Sequence, residues 1–146
     1  MKNLFLTAVL AMSTLVASAQ FMVVTTYDGD QEETVDQLTA HMGVGYEVMD
    51  GITVGAVRTP ESAVDAGDDG YEMFLRYDLG SYMEGAYASL QAPTEDMSDN
   101  MKIGIGFSFN VWNALYLEPN YTMPVSEDEV TGDREGTFNI GMGYRF

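Results

Sequence analysis

The sequence predicts an all-β protein: a closed, eight-stranded, antiparallel up-and-down β-barrel whose strands cross a membrane. Three observations carry that reading. Residues 137–146, TFNIGMGYRF, alternate strictly between apolar side chains (Phe138, Ile140, Met142, Tyr144, Phe146) and polar or small ones (Thr137, Asn139, Gly141, Gly143, Arg145). Such a period builds a strand with one apolar face and one wet face. Seven further segments read as strands, at 20–28, 37–49, 52–60, 71–79, 81–92, 101–110 and 114–124. The connections between them alternate long and short, so a meander gathers its short turns at one end and its long loops at the other.

Residues 1–19 read as a signal peptide. Lys2 supplies the positive end, Leu4 to Met12 a short apolar run, and Ala17-Ser18-Ala19 an A-x-A cleavage site, so the mature chain starts at Gln20. The apolar run falls short of the ~20 residues of a spanning helix. An uncleaved anchor is the alternative reading. Residues 20–146 then form one domain. The absence of Cys excludes disulfides, thiol chemistry and a lipid-modified cysteine after the leader.

Taken in order, the strands differ in clarity. In the first, either Phe21, Val23, Thr25 and Tyr27 or Met22, Val24 and Thr26 face outward. The second places Leu38, Ala40, Met42, Val44, Tyr46 and Val48 opposite Thr39, His41, Gly43, Gly45 and Glu47. Asp50-Gly51 is a strong hairpin signal, because Gly accepts positive φ. A strict two-residue turn there turns Ile52 and Val54 inward, whereas a bulged turn puts them outside, as hydrophobicity prefers. The fourth strand sets Tyr71, Met73, Leu75, Tyr77 and Leu79 against Glu72, Phe74, Arg76 and Asp78. The fifth leaves open whether Met83 and Tyr87 or Tyr82, Ala86 and Leu90 face outward. The sixth sets Met101, Ile103, Ile105, Phe107 and Phe109 against Lys102, Gly104, Gly106, Ser108 and Asn110. Aromatic residues gather at both strand ends: Tyr77, Phe109, Trp112, Tyr144 and Phe146 near the short turns, and Tyr71, Tyr121 and Phe138 near the long loops. That distribution suits girdles at two membrane interfaces.

Charge sorts the same way. The formal net charge is -17, and most of the 23 acidic residues fall in the long connections at 28–36, 61–69, 95–99 and 127–135. A chain this acidic offers no basic surface for nucleic-acid phosphates. Acidic loops gather divalent cations weakly through oxygen ligands. The stretch DAGDDG at 65–70 lacks the D-x-[DN]-x-[DN]-G spacing and a following bidentate Glu, so no defined metal site and no cofactor are expected.

Eight strands enclose a space that side chains fill, or that holds one small ligand. The inward set carries charge, and charges in a narrow lumen must pair. A hairpin centred on Gly80 sets Arg76 opposite Glu84. The expectation is an interior ion-pair network built on Arg76 and Arg145, with Glu47, Glu84 and Glu118 as acid partners and Lys102 close by. Inward glycines leave room for small water cavities. The single His, His41, has no nucleophile-elbow serine to serve, and a lone inward histidine is ordinarily a satisfied lumen residue. No catalytic residue is assigned and the chain reads as non-enzymatic.

The final strand also carries a resemblance. Bacterial outer-membrane β-barrels usually end in a strand with a polar residue, a Gly two later, and aromatics five and seven positions after the polar one. Asn139, Gly141, Tyr144 and Phe146 fill those places. The chain resembles the small eight-stranded OmpA/OmpX-like barrel superfamily. The resemblance implies the outer membrane of a Gram-negative bacterium, termini and short turns in the periplasm, and a last strand read by the barrel-assembly machinery. Lipid and lipopolysaccharide, bridged to the acidic loops by divalent cations, become the expected surroundings. The expected role is structural or interactive, through those loops. A narrow cation-favouring pore is one alternative. A soluble secreted barrel binding a small ligand is another.

Overall fold

The computed structural model describes residues 21–29, 31–59, 70–94, 100–127 and 132–146. The leader, with Ala17, Ala19 and Gln20, lies outside them, as do the acidic stretches 61–69 and 95–99. Nine strands form one sheet: β1 (Phe21–Thr26), β2 (Gly43–Met49), β3 (Ile52–Thr59), β4 (Gly70–Asp78), β5 (Ala86–Pro93), β6 (Lys102–Phe107), β7 (Phe109–Trp112), β8 (Leu115–Pro124) and β9 (Thr137–Arg145). One short helix, α1 (Thr34–Thr39), precedes β2. Strands β1 to β6 pair each with the next, β6 pairs with β8, β8 with β9, and β9 with β1. The ring closes with eight members, all antiparallel. β7 is an extra strand that continues β6 beyond Ser108 and pairs with β8.

Register settles the facings left open by the sequence. Met22 pairs with Gly45 and Arg145, and Val24 with Gly43 and Gly143, so Met22, Val24 and Thr26 face the lumen. Met49 pairs with Ile52 across Asp50-Gly51, and the register shifts between Glu47 and Met49. That bulge turns Ile52 and Val54 outward, with Gly51 at φ 77° in the turn. Tyr87 pairs with Gly106 and faces inward, while Ala88 and Leu90 pair with Ile105 and Ile103 on the outer face.

Three expected strands differ from the structure. Residues 37–42 are not strand. Their apparent alternation belongs to α1 and the turn after it, where Ala40 is buried and donates its N–H to the Asp36 carbonyl. The fifth strand starts at Ala86 and not at 81. Residues 79–85 form a turn in which Tyr82 and Met83 both donate N–H to the Leu79 carbonyl, and Gly85 takes φ 77°. The sixth strand breaks at Ser108, between β6 and β7, where the Ser108 N–H bonds to the Gly85 carbonyl on the β5 side. The last short turn is Asn113-Ala114, with Asn113 at φ 48°, a conformation Asn tolerates.

The outer face is apolar and open. Val44, Met73, Leu75, Ile103, Ile105 and Ile140 are all exposed there. Aromatic residues mark both ends of this band. Tyr121 pairs with Phe138 near the long loops, and Tyr144 stacks edge-on with Phe146 at 4.9 Å near the short turns. The core lies inside the ring: Met22, Val24 and Phe74 are buried together, with Val57 against them. The inward glycines do not simply leave water space. The Phe74 ring lies over Gly45 and Gly55, and the Tyr87 ring over Gly106.

Candidate functional site in the barrel lumen

Opposite the apolar cluster, a charged belt crosses the lumen. Glu118 on β8 is its centre and is 2% exposed. Its Oε1 accepts from Arg76 Nη1 at 2.9 Å, Arg145 Nη2 at 3.1 Å and the Ser108 hydroxyl at 2.6 Å. Arg145 Nη2 also donates to Ser108 Oγ at 2.7 Å. Ser108 shares the inward parity of Lys102, Gly104 and Gly106, and its hydroxyl lies between the two groups, where it gives one proton and takes another. Each guanidinium lies on a ring: Arg76 is 4.0 Å from the Tyr87 centroid and Arg145 4.1 Å from that of Tyr116. The negative faces of the rings attract the cations and add to the pairing with the carboxylate. The Nε–H groups of both arginines find no acceptor among the described residues.

Geometry explains why these residues meet. Glu118 pairs with Gly141, and Tyr116 with Gly143. A Cβ at Gly143 would lie 3.3 Å from the Glu118 carboxylate. The small face of β9 therefore opens the space through which Arg145 reaches back along the lumen. The belt combines the expected Arg76, Arg145 and Glu118 with Ser108, Tyr87 and Tyr116, which the sequence reading did not select. Ser108 was legible as inward, but its partners Glu118 and Arg145 were not.

The other expected members lie elsewhere. Glu84 sits exposed in the 79–85 turn, and Arg76 pairs across the strands with Ser89, because the hairpin is longer than a turn centred on Gly80 allows. Glu47 accepts the Gly51 N–H at 3.0 Å, so its carboxylate steadies the Asp50-Gly51 turn. Lys102 pairs with Glu72 at 2.9 Å, toward the long-loop end. Because Lys102 is 41% exposed, Lys102→Met is expected to shift the urea midpoint by less than about 1 kcal/mol equivalent, the usual worth of a solvated pair. His41 Nε2 stands 3.5 Å from Asp28 Oδ2 in the turn after α1. Of the C-terminal pattern, Asn139 faces the lumen, 3.3 Å from Thr122 Oγ1, Gly141 backs Glu118, and Tyr144 and Phe146 stack on one another.

The belt divides the interior. Toward the long loops lies a chamber of about 420 Å³, and toward the short turns one of about 100 Å³. Arg76 and Tyr87 line both and form the partition. Among the described residues no cluster of three or more His, Asp or Glu is placed to hold a metal. Comparison of the chain with protein families, with characterised proteins and with solved structures finds no match.

Proposed function

We propose that this protein is a non-enzymatic outer-membrane β-barrel with a sealed interior, which holds its acidic long loops at the cell surface as a structural or interaction platform. The observation that carries the reading is the pairing of an apolar, aromatic-edged exterior with an interior crossed by charge. A soluble barrel has the reverse arrangement, and large exposed apolar surface on a monomer marks contact with lipid or another protein. The C-terminal pattern of Asn139, Gly141, Tyr144 and Phe146 supports delivery by the barrel-assembly machinery of a Gram-negative bacterium, within the OmpA/OmpX-like superfamily that the sequence resembles. Lipid and lipopolysaccharide are then its surroundings, with divalent cations bridging the loops. The Arg76–Glu118–Arg145 belt and the apolar cluster beside it weigh against a conducting pore.

The test is electrophoretic mobility in SDS, boiled and unboiled, of protein from the membrane fraction. A faster unboiled band that disappears on boiling is expected. A single boiling-independent band from a detergent-free soluble fraction overturns the reading. In planar bilayers the refolded protein is expected to give no current steps above background, and regular cation-selective steps would replace the sealed barrel with a pore.

A further inference from the structure

The chamber on the long-loop side has a composition that the belt does not require. We infer that it is a binding site for a neutral, polyhydroxylated ring of monosaccharide size. Its volume of about 420 Å³ lies in the range of small-molecule pockets. One wall is apolar, made by Val24, Val57 and Phe74 from β1, β3 and β4. The facing wall carries amides and hydroxyls from β5, β8 and β9: Ser89, Gln91, Asn120, Thr122 and Asn139. Tyr87 and Arg76 form the floor.

The lining determines the class of ligand. Its interior charges are matched, Arg76 to Glu118, Lys102 to Glu72 and His41 to Asp28, while Glu135 lies exposed to solvent at the mouth. A charged guest would have to break one of these pairs or stay unpaired in a narrow lumen, and both are costly. Asn120 and Asn139 are hydrogen-bonded within the wall, but a purely apolar guest would cover the Ser89 hydroxyl and the Gln91 amide without offering either a partner. Amides and hydroxyls donate and accept at once, as a polyol needs. The Phe74 side offers a surface for the C–H face of a ring. A pyranose or cyclitol presents both faces together. The inference concerns the lumen and holds whatever surrounds the barrel.

The experiment is a titration of the full chain, refolded in detergent micelles, with D-glucose, D-galactose and myo-inositol, followed by the side-chain amide resonances. Saturable shifts at Gln91, Asn120 and Asn139 are expected for at least one of the three, with Asn110 at the short-turn end unmoved. Ser89→Leu and, separately, Gln91→Leu are each expected to weaken that binding at least tenfold while the backbone amide spectrum stays dispersed. Three outcomes overturn the site: shifts that rise linearly without saturation for all three probes, tighter binding of glycine betaine or phosphate than of any polyol, or unchanged affinity in both leucine variants. If one variant fails to fold, the other decides.

Discussion

Glu118→Ala is expected to be among the most damaging single substitutions in the barrel. It strips two guanidinium groups and a hydroxyl of their common acceptor. Breaking a buried pair by removing one partner costs on the order of 3–5 kcal/mol, because the remaining charge stays behind. Arg76 carries most of that loss, since its side chain is 15% exposed, whereas Arg145 at 39% is screened by water. Urea unfolding of the refolded protein should show the midpoint falling accordingly. Glu118→Gln keeps an acceptor and loses the charge, so it should fall between wild type and Ala. The triple change Arg76→Met, Glu118→Leu, Arg145→Met removes every charge together and is expected to recover most of the stability. Apolar replacement of a whole buried ion set is often neutral or better. A triple variant as weak as Glu118→Ala would mean that the belt contributes through packing and not through charge.

Gly55→Val is expected to abolish folding. A Cβ at Gly55 collides with the Val44 carbonyl oxygen on one side and with the Phe74 ring on the other. A ring can rotate away, but a backbone carbonyl paired in the sheet cannot. Overpacking alone costs about 1–3 kcal/mol where neighbours can yield, and here one neighbour is fixed. Adding Phe74→Ala should therefore not rescue Gly55→Val, although it removes half of the clash. Gly141 supplies the contrast. The nearest atoms to an added Cβ, the Glu118 and Thr25 carbonyl oxygens, lie at 3.2 Å and need shift by only a few tenths of an ångström, so Gly141→Ala should still fold, with a midpoint lowered by about 1–3 kcal/mol equivalent. The heat-dependent band on an SDS gel reads both results.

The barrel was legible because a period of two survives any error in strand boundaries. β4, β6 and β9 each show one apolar face, and their facings follow from the residues alone. The lumen was legible only in part. Inward charges can be named from parity, yet their partners depend on register, and register depends on turn length. The 79–85 turn shows this. Once Gly85 is fixed at positive φ, Arg76 moves away from Glu84 and pairs with Ser89. The contact with Glu118 lies 42 residues further along the chain, and only barrel closure brings it near. Residues 37–42 were misread for a different reason. Leu38, Ala40 and Met42 satisfy a strand period, but a six-residue helix is too short to show its own. Thr39 Oγ1 bonding back to the Val35 carbonyl at 2.8 Å belongs to that helical turn. The chamber walls were hidden too, because neutral amides and hydroxyls carry no signal until opposite strands are set face to face.

The seam between β1 and β9 has a consequence for the order of assembly. Five residue pairs join Met22–Thr26 to Gly141–Arg145 across almost the whole described chain. Bringing such distant ends together costs roughly 4 kcal/mol in chain entropy by the logarithmic scaling of loop closure, and neighbouring hairpins cost considerably less. Hairpins therefore form early and the seam forms late, which makes folding slow relative to local contacts. Before that step the two terminal strands each expose an unpaired edge, the usual template for association with other chains. Glu118 and Arg145 lie on the paired strands β8 and β9 and can meet in the open sheet, whereas Arg76 on β4 reaches Glu118 only once the sheet curves shut. The open sheet is thus the vulnerable species.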